Sequence, residues 1–474
     1  MPCAGFIQLS ESSRIRYHKI ETERGNKMND FSKGSVSGHI LKLALPMILA
    51  QLINILYNMV DRIYIGRLGQ DAACAMSALG ICLPAITIII AFANLVGMGG
   101  SPLVSIARGK KDIGRAQNIL NHAFLYLCFL SVVLFLIGFI FARPILFAFG
   151  ASQSTISYAL IYLRIYLCGT LFTMISLGMN SFINAQGFAK TGMMTVLIGA
   201  ILNIVLDPVF IFLLHMGVAG AALATILSQF VSMLWTIRFL RSDKTIIRLD
   251  LKSFHFDFSL IQQITQLGMA GFMMAVTNSI VSAVCNNVLQ IWGGDLYIAV
   301  MTVINSLREL ASLPGQGFAN AGQPVLGFNY GARQFGRVQS GIKAITLFTV
   351  LSMTVFWIFI LCTTSFLFRI FTNDAAVVAA GIHSAHLYFF GFFMMAFQMS
   401  GQSTAMGLGR AKQAIFFSIF RKVIVVVPLT LLLPYWLGVD GVFIAEAVSN
   451  FIGGGACYIT MLLTIWKSLK TQKK

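Results

Sequence analysis

Apolar runs of roughly 20 or more residues, each long enough to cross about 30 Å of hydrocarbon as an α-helix, recur along the chain between short stretches rich in Gly, Pro and charge. Twelve helices are predicted. The first six cover Ile40–Gly66, Ala75–Gly100, Ile119–Ala142, Tyr158–Ile183, Met193–Leu214 and Val218–Phe239. The second six cover Ile261–Ile291, Tyr297–Ala321, Ile342–Ile370, Val378–Ala405, Ala414–Leu437 and Val442–Leu463. The pattern is that of an all-α integral membrane protein.

The pattern is also written twice. Ser101-Pro102 followed by Arg108-Gly109-Lys110-Lys111 matches Gln323-Pro324 followed by Tyr330-Gly331-Ala332-Arg333 at an offset of 222. The same offset carries Gly187, Ala189 and Lys190 onto Gly409, Ala411 and Lys412. Gly217-Val218-Ala219-Gly220 meets Gly438-Val439-Asp440-Gly441 at 221, while Asn54/Asn278 and Asp71/Asp295 match at 224. A drift this small is what a few loop insertions in a duplicated module produce. Each copy holds an even number of helices, so both copies start on the same side of the membrane. They are parallel repeats about an axis along the membrane normal, with a substrate path expected between them. The predicted division is a cytoplasmic N-terminal segment 1–37, an N-lobe 38–240, a cytoplasmic connecting loop 241–260, a C-lobe 261–465 and a cytoplasmic tail 466–474.

Composition removes a soluble alternative: 57% of the 474 residues are hydrophobic and only 11% charged, more apolar surface than one water-facing core buries. The net charge of +18 raises the question of nucleic acid, which the placement of the basic residues answers. Of 34 Lys and Arg, 26 fall in the terminal segments and alternate loops, and only Arg67, Arg143 and Arg369 in the opposite loops. By the positive-inside rule both termini and the central loop are cytoplasmic in a multi-pass protein of the cell membrane. The eight cysteines show no paired or metal-ligand spacing. No phosphate-binding Gly-rich loop and no clustered acid, base or metal set is present, so neither an ATP-driven pump nor an enzyme is read here. The first 27 residues lack an apolar core followed by a cleavage site, which leaves Met28 as a candidate start. No cofactor is expected; membrane lipid is the expected surrounding, and a monomer the expected state.

Ionisable groups inside a membrane cost at least about 2.5–3.5 kcal/mol at a helix centre, so each is a functional candidate. Asp61, Asp207, Glu309 and Glu446 qualify among the acids. Gln51, Asn54, Asn58 and Asp61 follow a 3, 4, 3 spacing along one side of the first helix, with Tyr57 one turn before Asp61. Asn203 stands one turn before Asp207, and Pro208 withholds a backbone donor from a carbonyl nearby. Helix rise brings Asp207 and Thr225 to one depth, puts Asp61 nearer the outer edge unless the first helix tilts or starts earlier, and leaves Asn180 unplaced; the Asn203, Asp207 and Pro208 arrangement favours a cation. A sodium ion on Asp61, Asn203, Asp207 and Thr225, or a proton shared by the two acids, would satisfy it. Hydrogen bonding between helices, worth about 0.6 kcal/mol on average, is the other use of such residues. In the repeat Asp61 falls on Cys285 and Asn180 on Gln402, and only Thr225 meets an acid, Glu446. The two-carboxylate site is therefore expected in the N-lobe alone. The C-lobe carries Met and Phe runs, including Met273, Met274 and Phe393, of a kind that suits greasy aromatic cations or lipid-facing packing. Gln51 and Asn58 complete the candidate substrate contacts.

Leu43-Ala44-Leu45-Pro46, Val60-Asp61, Ile65-Gly66-Arg67-Leu68-Gly69, Gly97 to Pro102, Gln186-Gly187 and Asn203 with Asp207-Pro208 together resemble the multidrug and toxic compound extrusion (MATE) family across all twelve helices. The Asp-Pro pair is similar to the bacterial branch of MepA and DinF types. The resemblance implies that Tyr57, Asp61, Asn180, Asn203, Asp207 and Thr225 form an N-lobe pocket for a proton or sodium ion. It implies a secondary exporter in which inward cation movement drives expulsion of amphipathic organic cations by rocking of the lobes. A lipid-linked sugar flippase of the same superfamily is the alternative.

Overall fold

The computed structural model describes residues 30–65, 67, 72–153, 155–251, 256–372 and 374–472. The candidate start at Met28, most of the N-terminal segment, the Leu68-Gly69 end of the first motif and the Asp71 repeat match lie outside them. Every regular element among the described residues is helical.

The N-lobe comprises α1 (Val36–Ile65), α2 (Ala72–Gly109), α3 (Ile113–Ile140), α4 (Ile156–Cys168 with Thr170–Ala185), α5 (Ala189–Pro208) and α6 (Gly217–Arg241). A single run Phe258–Gly331 follows, but Gly294 has φ 64° and ψ −164° and divides it into α7 (258–293) and α8 (295–331). The C-lobe continues with α9 (Phe335–Phe371), α10 (Ala375–Phe389 with Met395–Gly407), α11 (Ala411–Ile419 running through Val427–Leu432) and α12 (Asp440–Met461). Ten of these runs are long and apolar enough to cross a membrane, and α4 passes the same test as a bent pair. With the break at Gly294 this yields the twelve predicted spans.

The fourth helix, predicted as one run over Tyr158–Ile183, is bent, its halves meeting at 55°. A Cβ on Gly169 at the bend would lie 2.4 Å from Ile226 Cγ2, so α6 approaches there because the residue lacks one. α10 breaks into a 3₁₀ turn at Phe392–Met394, and α11 widens to a π turn at Phe420–Val426, features apolar periodicity does not encode.

The backbone repeats as the sequence does. Lys111 and Arg333, matched at 222, both take positive φ (60° and 57°), as do the matched Gly187 and Gly409. At the seam between lobes an added Cβ on Gly109 would lie 1.9 Å from the Phe328 carbonyl oxygen, and one on Gly331 2.1 Å from that of Ile106. Ile106 and Phe328 are themselves repeat mates, so the contact is reciprocal, as a two-fold relation requires. Small residues let backbones meet where no hydrophobic force drives helices together in lipid. Arg108, 6% exposed, donates to the Ala185 carbonyl at 2.8 Å and lies over the rings of Phe31 and Phe328.

Residues 30–35 are part of this seam. Phe31 is buried in a core with Ile40, Ala44, Val325 and Ile342, and Arg337 donates to the carbonyls of Phe31, Lys33 and Gly34. The connection between lobes is strapped to the N-lobe. Gln186 Oε1 accepts from Thr245 Oγ1 and from the N–H groups of Ile246 and Ile247, and Asn121 and His122 bind Asp250 and Asp257 backbone.

Candidate functional site

Asp207 sits about five turns into α5 because the chain continues helically to Pro208, where a π turn, Val209–Leu213, takes over. Pro208 can donate nothing to the carbonyl of Ile204 one turn back. Asp207 is fully buried and Asn203 2% exposed. Asn203 Nδ2 donates to Asp207 Oδ1 at 3.2 Å and to Thr225 Oγ1 of α6 at 3.4 Å, while Thr225 Oγ1 donates to the Ala221 carbonyl at 3.0 Å. From α1, Asp61 is 9% exposed and comes within hydrogen-bonding reach of Asp207. Tyr57 stands beside both acids.

Asp207 Oδ2 and Asn203 Oδ1 are buried acceptors to which no described group donates. Two carboxylates cannot hydrogen-bond each other unless one carries a proton, and an unpaired buried acceptor is costly. A proton between the acids or a small cation among oxygens would complete the arrangement. Asp61, Asn203, Asp207 and Thr225 are all oxygen donors of the sort a hard cation takes, and Asn203 Oδ1 is the free amide oxygen among them.

Five of the six residues named for coupling therefore converge: Tyr57, Asp61, Asn203, Asp207 and Thr225. Asn180 does not. Its Nδ2 donates to the Gly192 carbonyl at 3.2 Å, and Gly192 lies eleven residues, about 16 Å of helix rise, before Asn203. The second half of α4 runs along the near end of α5, and Asn180 lies there with it. Two residues the sequence reading passed over are present instead. Tyr162 and Tyr166, 3% and 5% exposed, stack at 6.3 Å between ring centroids on the first half of α4, and Asp61 and Tyr57 are near enough to Tyr162 to act on it electrostatically. The i, i+4 spacing of Tyr158, Tyr162 and Tyr166 was the available signal, masked by the apolar run around it.

The candidate substrate contacts are dispersed. Gln51 is half-buried with its Oε1 lacking a donor. Asn58 is exposed and bonds the Asn54 carbonyl of its own helix at 2.7 Å. Met273 is half-buried and Met274 38% exposed on α7. Phe393 packs on Trp357 and Phe451, at 5.1 and 6.1 Å between centroids, within the C-lobe.

The chain is 24% identical over 438 residues to the multidrug export protein MepA of Staphylococcus saprophyticus, covering 92% of this chain and 95% of that one. It is 25% identical over 428 residues to MepA of Staphylococcus haemolyticus, covering 89% and 93%. Among solved structures, an outward-facing multidrug resistance MATE transporter of the MOP superfamily superposes with a TM-score of 0.88 at 25% identity, over 94% of this chain and 99% of that one. A MATE protein crystallised in a bent conformation superposes with a TM-score of 0.89 at 24% identity, over 94% and 100%. The MatE family model matches twice, at residues 46–209 and 270–432, once in each repeat, and the chain accordingly belongs to the MatE family, the multidrug and toxic compound extrusion proteins its motifs resemble.

Proposed function

We propose that this protein is a secondary active multidrug exporter that expels amphipathic organic cations in exchange for an inward-moving cation, H⁺ or Na⁺. The reading is supported by its relatives' role as multidrug export proteins. The observation that carries it is the buried pair Asp61 and Asp207, with open oxygen acceptors beside it. Such a pair drives transport only if it binds the ion better in one arrangement of the lobes than in the other; equal affinity would shift nothing. α1 is placed to report that difference. It supplies Asp61 to the N-lobe site, while its first half, Ile40 to Ala44, packs on Val325 and Ile342 of the C-lobe. An ion leaving Asp61 thus changes the packing of a helix shared by both lobes. Each inward charge supplies about 2.3 kcal/mol per 100 mV of membrane potential.

The test is uptake of ethidium into everted vesicles under separately imposed proton and sodium gradients. Uptake driven by at least one gradient and lost in Asp207→Asn is expected. Gradient-independent uptake, or uptake indifferent to Asp207→Asn, would remove the coupling assignment.

A further inference from the structure

The repeat carries Tyr57, Asp61, Tyr166 and Thr225 onto Val281, Cys285, Tyr388 and Glu446. All four line a single cavity in the C-lobe, so this cavity is the counterpart of the carboxylate site. Its charge is inverted. Arg308 and Lys422 reach its wall, and Arg421 lies behind Glu446, donating from Nη1 to Glu446 Oε1 at 2.9 Å and to Asn450 Oδ1 at 2.7 Å. Lys422 Nζ donates to the same Glu446 oxygen at 3.1 Å. Arg421, Lys422 and Glu446 are 3%, 5% and 5% exposed.

One carboxylate thus serves two cations, and Arg308 is a third cation that it does not bond. The Arg308 guanidinium hydrogen-bonds no described residue, and its Nε is buried without an acceptor. At the cavity three bases meet one acid, Glu309 next to Arg308 being exposed and not part of its lining, and charge inside a membrane lobe is expensive unless paired. Packing is no explanation, because apolar residues of similar volume would fill the space at lower cost. The missing partner is negative. A guanidinium presents a planar fork that matches a two-oxygen anion, and an ammonium adds a point charge. Asn278, Asn286 and Asn305 on the same wall offer neutral donors around them.

We propose that the C-lobe cavity is an anion site, in which Arg308 and Lys422 hold the carboxylate, sulfonate or phosphate group of an amphipathic ligand. That group belongs to a soluble aromatic anion or to a phospholipid headgroup. The assignment rests on this cavity alone, independent of ion-coupled export of cations, and is tested without any gradient.

Full-length protein in a neutral maltoside detergent is dialysed to equilibrium against radiolabelled 1-naphthaleneacetate and, as the charge-reversed control, 1-naphthylmethylamine. In parallel, native mass spectrometry follows retention of phosphatidylglycerol against phosphatidylcholine. The expected result is retention of naphthaleneacetate, of phosphatidylglycerol, or of both, the responding arm identifying the source. Arg308→Met and Lys422→Met each weaken it about tenfold, the worth of a charged hydrogen bond, while Asp207→Asn leaves it unchanged. Should either variant fail to elute as a folded monodisperse species, Arg308→Lys decides, since it keeps the charge and loses the fork: weakened retention supports the site. Retention of neither anion, retention unaffected by the folded variants, or naphthylmethylamine binding that Arg308→Met abolishes would overturn the proposal.

Discussion

A carboxylate buried as completely as Asp207 needs a neutralising partner, and its described neighbours are a second acid, an amide, a hydroxyl and phenols. Asp207→Asn or Asp61→Asn keeps the shape and removes the charge, so coupled export falls to background while the protein still elutes as a folded species; ethidium uptake by everted vesicles beside size-exclusion profiles measures both. Thr225→Val removes the acceptor for Asn203 Nδ2 but leaves both acids able to hold a proton. Proton-driven export is expected to persist and any sodium response to vanish, and a variant that retains the sodium response yet loses proton-driven export would contradict this. Glu446 presents the opposite case. Its partners Arg421 and Lys422 are as buried as it is, and removing one member of such a set costs about 3–5 kcal/mol because the other charges remain unpaired. Glu446→Gln therefore lowers the thermal melting of the detergent-solubilised protein, and adding Lys422→Met recovers part of the loss; a melt equal to that of the unaltered protein would mean the ion pair is not structural.

At the scale of elements, the lobes meet through glycines at the ends of α2 and α8. Alanine at Gly109 or Gly331 drives a Cβ into a backbone carbonyl that cannot rotate away. Because the two positions are repeat mates in reciprocal contact, each substitution is expected to loosen the seam, and by similar amounts. Ser105, fully buried beside Gly327, reports it: in a background lacking native cysteines, Ser105→Cys reacts slowly with a water-soluble maleimide, and faster when either glycine is replaced. Unchanged labelling would show that this seam tolerates a methyl group. Phe31 and the Arg337 contacts to residues 31–34 close the same end from the side.

Across the whole molecule, the distribution of basic loops predicts a cytoplasmic face carrying both termini and the connection between the lobes. Lys244 lies in the loop strapped to the N-lobe, and Asp440 at the start of α12, where it pairs with His383 at 3.0 Å. Cysteines introduced at these two positions are expected to label with an impermeant reagent from opposite sides of the membrane. Labelling from one side would break the topology of twelve spans and two parallel lobes.

Helix number, the duplication and the shared depth of Asp207 and Thr225 were legible in the chain, because hydrocarbon thickness fixes helix length and an offset repeat needs only matching letters; the place of Asp61 beside them was implied by the family resemblance and not by helix rise. The inside-facing register at Asp207 followed from one turn of α-helix and one proline. Tertiary structure decided what depends on how helices cross. Tyr162 and Tyr166 of the first half of α4 stand at the acids, whereas Asn180 of its second half bonds the Gly192 carbonyl near the start of α5; hydropathy fixes a span and not which part of it meets which neighbour. The second site was beyond the sequence for a related reason. Arg308, Arg421, Lys422 and Glu446 come from α8, α11 and α12, and only their packing shows that a single carboxylate serves Arg421 and Lys422 while Arg308 at the same cavity bonds no described residue.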